Sequence, residues 1–443
     1  MLLFVILGAK VIKRCKLCKK KQSIFRILMY LCAQHKMTLH MNIRMSIILS
    51  TGIIMARYGY DQMNPTLWLI LLLVMTSMAI VLRKWIQSQC ILFYICLFLL
   101  GGLLTSYQEC RNRKPVTYFT MDELSEQDRF LTTAQERRAE IEQKLKGLGI
   151  ENEDFGVIAA MAMGDKTALD KDTKEVYSVA GASHVLAVSG LHISIIFQLL
   201  IMLLGGNRRH IFVILSALVA IWMYVLFIGM PASAVRSATM LSVYGFVTMT
   251  RRNKDSLRSL SIAFTIMLLC NPLYLFDLSF QMSFAAVGSI IVFLPLLSSL
   301  YHPTHRLSQW IWGMLCVSAA AQIGTLPLIT YYFGRISCYS LLTTFIAIPA
   351  AMGILYLCCM LMLMSPFLLL SLTVSLFSWL ITWVAKALVV ITHFANTAFH
   401  LTSLAPGASI DGIHLPLPIL FIIYAALGLV YAGWIKMKRI RIG

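Results

Sequence analysis

The segment Gly181–Ser194 (GASHVLAVSGLHIS) places two histidines and three serines within fourteen residues. Ser189 and His192 are three residues apart, so on a helix they would share a face and could contact each other. His184 and His192 are eight residues apart, about 12 Å along a straight helix, too far to bind one metal ion. Two interpretations stay open: hydrogen bonding between helices, with Gly190 allowing close approach, or a functional polar site at membrane depth.

A second cluster of polar residues follows in the segment Gly229–Ser237 (GMPASAVRS). Pro231 suits a first helical turn, and Ser233 and Arg236 then lie on one face with Ser237. An arginine near a helix end reaches outer headgroups by snorkelling. The alternative is a cation that faces a polar cavity and meets an anion.

Further polar side chains interrupt later apolar stretches: Asp277, Gln281, Gln322 and Lys386. Asp277 and Gln281 have i,i+4 spacing, which fits either a helix cap with a buried glutamine or a functional pair. An unpaired lysine inside a membrane helix is costly, so Lys386 needs a partner, either Asp277 or a substrate phosphate.

The composition places all of these residues in a bilayer. Of 443 residues, 59% are hydrophobic and only 13% are charged, whereas a soluble protein carries about a quarter of its residues as charges. A helix crosses the hydrocarbon with roughly 20 apolar residues. We predict an all-α polytopic membrane protein of about twelve transmembrane helices, within a range of ten to fourteen: 45–60, 66–82, 90–106, 184–205, 211–228, 231–250, 257–270, 280–300, 310–332, 338–364, 370–395 and 417–435.

The distribution of Lys and Arg predicts the orientation. With the basic C-terminus in the cytoplasm, the short outer loops hold only Arg57 and Arg335. The net charge of +19 therefore records membrane topology rather than nucleic-acid binding. The predicted segments are a basic cytoplasmic tail (1–44), membrane helices (45–106), an extracytoplasmic helical segment (107–183) with an interfacial or re-entrant stretch (155–163), a membrane core (184–435) and a basic cytoplasmic end (436–443).

On this topology, His184, Arg236, Asp277 and Gln281 fall in the outer third of the membrane. Ser189 and His192 lie deeper. We expect them to line a polar vestibule that opens outward.

Metal and cofactor chemistry has little support in the sequence. Most of the eleven cysteines lie in predicted spans or in the cytoplasmic tail, so we expect no disulfide framework. Cys15, Cys18, His35 and His40 form a C-x2-C-x16-H-x4-H pattern just beyond ordinary zinc-finger spacing. No P-loop or H-E-x-x-H motif is present. We expect no cofactor and no metal.

Four segments, taken in order, strongly resemble the membrane domain of ComEC-type competence proteins: 181–194, 231–237, 277–283 and 322–334. The stretch SHVLAVSGLHISII is the most distinctive of these motifs, and Met163–Lys166 precedes it at a short distance. The resemblance covers roughly residues 155–395. It implies a channel that carries transforming DNA across the cytoplasmic membrane as a single strand.

The sequence also departs from the family pattern. Residues 107–154 are too few for the five-stranded OB-like domain of fuller members, and the chain ends at Gly443 without a metallo-β-lactamase-like domain. Thr344 stands where the family has Asn. We therefore expect a channel role without nuclease activity.

The leading hypothesis is a channel for single-stranded DNA, with Arg236 contacting phosphate and the histidines lining the path. Its expected partners are single-stranded DNA and membrane lipids, with a DNA receptor, a separate nuclease, a cytoplasmic helicase and a second copy of the chain as further candidates. One alternative is an intramembrane hydrolase in which Ser189 is the nucleophile and a histidine the base. Another is a small-molecule or lipid transporter.

Overall fold

The computed structural model describes residues 39–59, 64–82, 86–112, 138–143, 146–147, 150, 152–165, 167–205, 211–249, 256–364, 374–413 and 415–442. Its α-helices are α1 Leu39–Tyr58, α2 Pro65–Val81, α3 Ile86–Asn112, α4 Asn152–Ile158, α5 Lys171–Val179, α6 Gly190–Leu203, α7 Ile211–Phe227, α8 Ala232–Met249, α9 Ser256–Cys270, α10 Leu278–Ser298, α11 Arg306–Phe333, α12 Ser340–Met364, α13 Val374–Ser403 and α14 Leu417–Ile442. A π-helical turn, Ala159–Met163, continues α4, and a 3₁₀ turn, Pro272–Phe276, precedes α10.

Every predicted span overlaps a helix, so the assignment to a helical membrane protein is confirmed. Six helices in the described part are long and apolar enough to cross a membrane, and four shorter apolar helices accompany them. The count of twelve stays a prediction. The all-α description omitted one element, a ribbon of two antiparallel strands, β1 Arg335–Ser337 and β2 Ser409–Asp411.

The predicted span 184–205 is wrong at its start. Residues 183–189 are not helical, and α6 begins only at Gly190. Ser189 has extended backbone angles of −108° and 174° and occupies the N-cap position of α6. His184 therefore lies in the segment that leads into the helix.

The chain divides into two compact units, Met1–Pro115 with Phe264–Leu273, and Val116–Ala263 with Tyr274–Gly443. In the first unit, α3 packs against α1 and α2. Gly101 permits this approach, because a Cβ atom there would lie 2.6 Å from the Leu49 carbonyl oxygen. Gly102 likewise lies against the Trp68 ring. Small residues at such contacts let membrane helices pack closely without losing van der Waals contact.

In the second unit, the π-helical turn lies in the largest buried cluster, against α12. Its five residues are at most 3% exposed. The Tyr224 hydroxyl donates to the Ala162 carbonyl over 2.8 Å, which satisfies one backbone acceptor of the turn. Irregular backbone at membrane depth is tolerated only where protein or a water-filled cavity surrounds it. This burial is therefore compatible with the re-entrant position predicted for 155–163, which stays a prediction.

The antiparallel pairs α10–α11 and α12–α13 complete the second unit. Gly324 of α11 lies against α10, since a Cβ atom there would be 2.6 Å from the Ala285 carbonyl oxygen. The Ser289 hydroxyl donates to the Ala320 carbonyl across the same contact, over 2.6 Å. The helices that carry the motif residues are therefore held at close separation.

Candidate functional site

Ser189 and His192 make the contact that their spacing predicts. The Ser189 backbone N–H donates to His192 Nδ1 over 3.2 Å, and the Ser189 hydroxyl lies 2.8 Å from the same nitrogen. His192 has no exposed surface. The pair arises because His192 is the third residue of α6 and its ring folds back onto the N-cap residue.

This geometry determines the tautomer of His192. A backbone N–H can only donate, so Nδ1 must accept, and the proton of the neutral ring is on Nε2. Nε2 is buried and has no hydrogen-bond partner among the described residues. A serine hydrolase needs a group that orients the ring through the second nitrogen, and the described residues place none there. The serine–histidine contact is therefore present without the third member of a triad.

The interface between α6 and α8 is held by serines. The Ser233 hydroxyl donates to the Val188 carbonyl over 2.6 Å, just before the start of α6. The Ser237 hydroxyl donates to the Ser233 carbonyl over 2.9 Å. Gly190 faces this hydroxyl, because a Cβ atom at Gly190 would lie 2.9 Å from Ser237 Oγ. A larger residue at this position would therefore have to displace the Ser237 hydroxyl from the interface between the two helices.

Arg236, on the same helix as Ser233, is 2% exposed and binds α10. Its Nη1 lies 3.4 Å from the Asp277 carboxylate, and its Nη2 donates to the Ser279 hydroxyl over 2.5 Å. A longer contact of 3.4 Å reaches the Ser283 hydroxyl. Asp277 also caps α10 by accepting the Phe280 backbone N–H over 3.2 Å. Both terminal nitrogens of the guanidinium thus have protein partners, Nε is buried without one among the described residues, and the side chain does not snorkel to a surface.

The remaining predicted residues lie in separate contacts. Gln281 donates to the Leu275 carbonyl over 3.0 Å and accepts from the Tyr332 hydroxyl over 3.1 Å. Gln322 donates to the Ser340 hydroxyl over 3.0 Å. Lys386 is exposed on α13, with Nζ 5.6 Å from the centre of the Trp383 ring. The ion-pair partner of Asp277 is Arg236 rather than Lys386.

The structure brings the predicted residues together only in part. Gly190 and Ser233 lie at the α6–α8 interface, the Ser189–His192 pair lies beside it at the start of α6, and Arg236 and Asp277 join α8 to α10. His184 is exposed in the loop before α6. A common vestibule lined by all of them stays a prediction.

The metal candidate cannot be examined in full. Cys15, Cys18 and His35 lie outside the described residues, as does the side chain of His40. Within the described ranges, no cluster of three or more metal-ligating side chains occurs.

The sequence analysis missed two polar networks. One joins three helices: the Tyr177 hydroxyl donates to Asn396 over 2.6 Å, and Asn396 donates to Asp154 over 2.7 Å. The other is centred on Arg335, which binds Glu175 over 2.8 Å and Asp411 over 2.5 Å. Partners so far apart along the chain leave no periodic signal. Only the charge of Arg335 in a short outer loop could have drawn attention to it.

The fold and the site define a polytopic helical membrane protein whose motif residues join three neighbouring helices. The family model described as "Competence protein" matches residues 161–437. The chain belongs to this family.

Two curated relatives match about half of the chain. The chain is 30% identical to "ComE operon protein 3" of Bacillus subtilis (strain 168) over 253 residues, which cover 54% of this chain and 30% of that protein. It is 24% identical to "Recombination protein 2" of Haemophilus influenzae over 233 residues, which cover 48% of this chain and 28% of that protein. The match thus spans less than a third of either relative. No solved structure matches the chain.

The Arg236–Asp277 pair predicts an asymmetric mutational result. Asp277→Asn keeps a helix cap but leaves a buried guanidinium without its counter-charge, which we expect to cost about 3 kcal/mol. Arg236→Gln removes the buried charge and leaves a carboxylate whose side chain is 41% exposed, so we expect a smaller loss. Thermal unfolding of the purified protein in detergent measures both. The double variant should be more stable than Asp277→Asn alone, and the reverse order of the single variants would contradict this assignment.

Gly190 supports a second prediction. Gly190→Ala places a methyl group against Ser237 Oγ, and we expect the clash to lower stability by about 1–3 kcal/mol. Adding Ser237→Ala removes that oxygen and should restore most of the loss. Unfolding of both variants, with Ser237→Ala alone as the control, checks the contact. Absence of rescue would show that another neighbour limits the space at Gly190.

Proposed function

We propose that this chain forms the membrane-embedded part of a path by which DNA crosses the cytoplasmic membrane as a single strand during natural transformation. The observation that carries the proposal is the family match over residues 161–437. The relative named "ComE operon protein 3" is 30% identical over 253 residues, and residues that resemble competence proteins hold α6, α8 and α10 together.

In this proposal Arg236 has a positioning role. Its guanidinium is buried and bound by Asp277 and Ser279, so contact with a DNA phosphate would require these contacts to break. We therefore assign phosphate contact to other cations and assign Arg236 to the attachment of α8 to α10. Ser189, Gly190, His192 and Ser233 have the corresponding role between α6 and α8.

The orientation and partners belong to the same proposal. Both termini are in the cytoplasm, and segment 107–183 lies outside the membrane, as the distribution of Lys and Arg favours. A single strand that enters here needs an external DNA receptor, a nuclease and a cytoplasmic helicase. The proposal assigns these activities to separate proteins, with the present chain supplying the passage. Lipids surround it, and a second copy of the chain is a candidate partner.

Deletion and complementation in a naturally transformable strain with no other competence-family membrane protein tests the function. We expect deletion to reduce transformation to the background of spontaneous marker acquisition, while labelled DNA still binds the cell surface. The wild-type gene should restore internalisation of the label into a nuclease-protected form. Unchanged transformation in the deletion strain would contradict the proposal. Loss of surface binding as well would assign the chain to DNA capture rather than passage.

A second candidate function has one observation in its favour, the distance of 2.8 Å between Ser189 Oγ and His192 Nδ1. Nucleophilic serines in hydrolases contact a histidine base in this way. If Ser189 is a nucleophile, a fluorophosphonate probe should label the protein, and Ser189→Ala should abolish the label while Ser194→Ala retains it. Absence of labelling in folded wild-type protein would leave passage of DNA as the assigned function.

A further inference from the structure

A groove lies between α5 and the loop that leads into α6. It has a volume of about 490 Å³. The α5 side is formed by Lys171, Lys174 and Ser178, and the loop side by Ser183 and Leu186. The loop belongs to the segment that most distinctively resembles competence proteins, and the groove uses no residue already placed in the α6–α8–α10 contacts.

The charges of the groove are not balanced among its own side chains. Lys171 and Lys174 are exposed, and neither has a carboxylate partner within ion-pair distance in the described part of the chain. The acid in the lining is Glu175, and Arg335 binds it over 2.8 Å. Hydrogen bonds to Asp411 and then to Glu175 raise the pKa of Arg335, so Arg335 stays charged. Its single positive charge is shared between the two carboxylates, and Lys171 and Lys174 are the two cations of the groove lining.

Two other acids of this region do not line the groove. Asp170 caps α5 and accepts the Lys171 backbone N–H over 2.7 Å. Asp172 is one residue beyond Lys171 and is therefore turned about 100° around the helix axis from it. Lys171 and Lys174 have i,i+3 spacing and share one face. Lys171, Lys174, Ser178 and Ser183 thus line one groove, and its apolar lining includes Leu169 and Leu186, which are 6% and 7% exposed. The Ser178 hydroxyl accepts from Arg335 Nη1 over 3.2 Å, and its own proton is left to donate.

The position of the groove is well defined because α5 is fastened at its C-terminal end. The Ser337 hydroxyl donates to the Val179 carbonyl over 2.9 Å, and the Thr343 hydroxyl donates to the Ala180 carbonyl over 2.8 Å. Gly181 then turns the chain with φ of +78°, and a Cβ atom there would lie 2.6 Å from Ser340 Cβ. The wall that carries both lysines is therefore held against β1 and α12.

We propose that this groove is an anion site that binds phosphates of the incoming DNA strand, with Lys171 and Lys174 as the phosphate ligands and the Ser178 and Ser183 hydroxyls as supporting donors. The inference rests on the proposed function and names the cations that Arg236 does not supply. Lysines bind phosphate as point charges without reading sequence, which suits a strand of any sequence in transit. Two exposed lysines also hold the strand weakly enough to release it.

Binding of a fluorescent single-stranded oligonucleotide of mixed sequence to the purified full chain tests the site. The chain is placed in nanodiscs of neutral phosphatidylcholine, so that no anionic headgroup competes. We expect Lys171→Gln/Lys174→Gln to weaken binding about tenfold and to make the slope of log affinity against log salt shallower by about 1.4, because each phosphate contact on a single strand contributes about 0.7. Both side chains are exposed, so the variant should unfold at the wild-type temperature.

Matched controls distinguish the loss of positive charge in the groove from the loss of positive charge elsewhere on the chain. Lys171→Arg/Lys174→Arg retains both cations and should bind like wild type. Lys436→Gln removes an exposed lysine of α14 and should leave the affinity unchanged. In cells, the double Gln variant should lower uptake of labelled DNA at normal protein level.

Three results of these measurements would overturn the groove assignment. Equal binding and equal salt slopes for wild type and the double Gln variant overturn the groove assignment and leave the proposed function intact. If wild type and the double Gln variant differ in DNA binding only in nanodiscs with anionic phosphatidylglycerol, the lysines are assigned to lipid headgroups. This result also overturns the groove assignment. Failure of wild-type protein to bind DNA or to support uptake overturns the groove and the proposed function together.

Discussion

The structure depends on one constraint: a polar side chain at membrane depth must find its partner inside the protein, because hydrocarbon offers none. Arg236 meets this constraint through Asp277 and Ser279, and Gln281 through the Leu275 carbonyl and the Tyr332 hydroxyl. In each case the polar group joins its own helix to another segment. The polarity that marks the motifs in the sequence therefore serves largely to hold the helices in place.

Close packing follows from the same constraint. Hydrogen bonds such as Ser233 to the Val188 carbonyl and Ser289 to the Ala320 carbonyl require short distances between backbones. Gly190 and Gly324 make these distances possible, because a methyl group at either position would meet a neighbouring helix. A change at one of these glycines therefore alters both the packing and the polar contacts beside it.

Outside this close-packed part, polar groups are arranged differently. Arg335 connects α5 to β2 by two ion pairs, and the strands β1 and β2 lie beside them. This fastening leaves Lys171 and Lys174 exposed and without partners in the described residues, next to the loop of the strongest family motif. This arrangement fits the proposed passage of single-stranded DNA, because exposed cations at the edge can meet a polyanion while the close-packed interior need not bind the strand tightly.

Much of this fold could be predicted from the sequence, because hydropathy over about 20 residues reports burial in lipid and every predicted span holds a helix. The Ser189–His192 contact was predicted from the three-residue spacing, but it forms because Ser189 is the N-cap residue of α6 and His192 its third residue, which is capping geometry rather than a shared helical face. The sequence did not show that α6 begins at Gly190 or that Arg236 binds Asp277, 41 positions away. Such contacts depend on which helices pack together, and hydropathy is the same for every arrangement of apolar helices in a membrane. The tertiary structure alone decided that Arg236 is buried against Asp277 and Ser279, and that Lys171 and Lys174 are exposed without a carboxylate partner among the described residues.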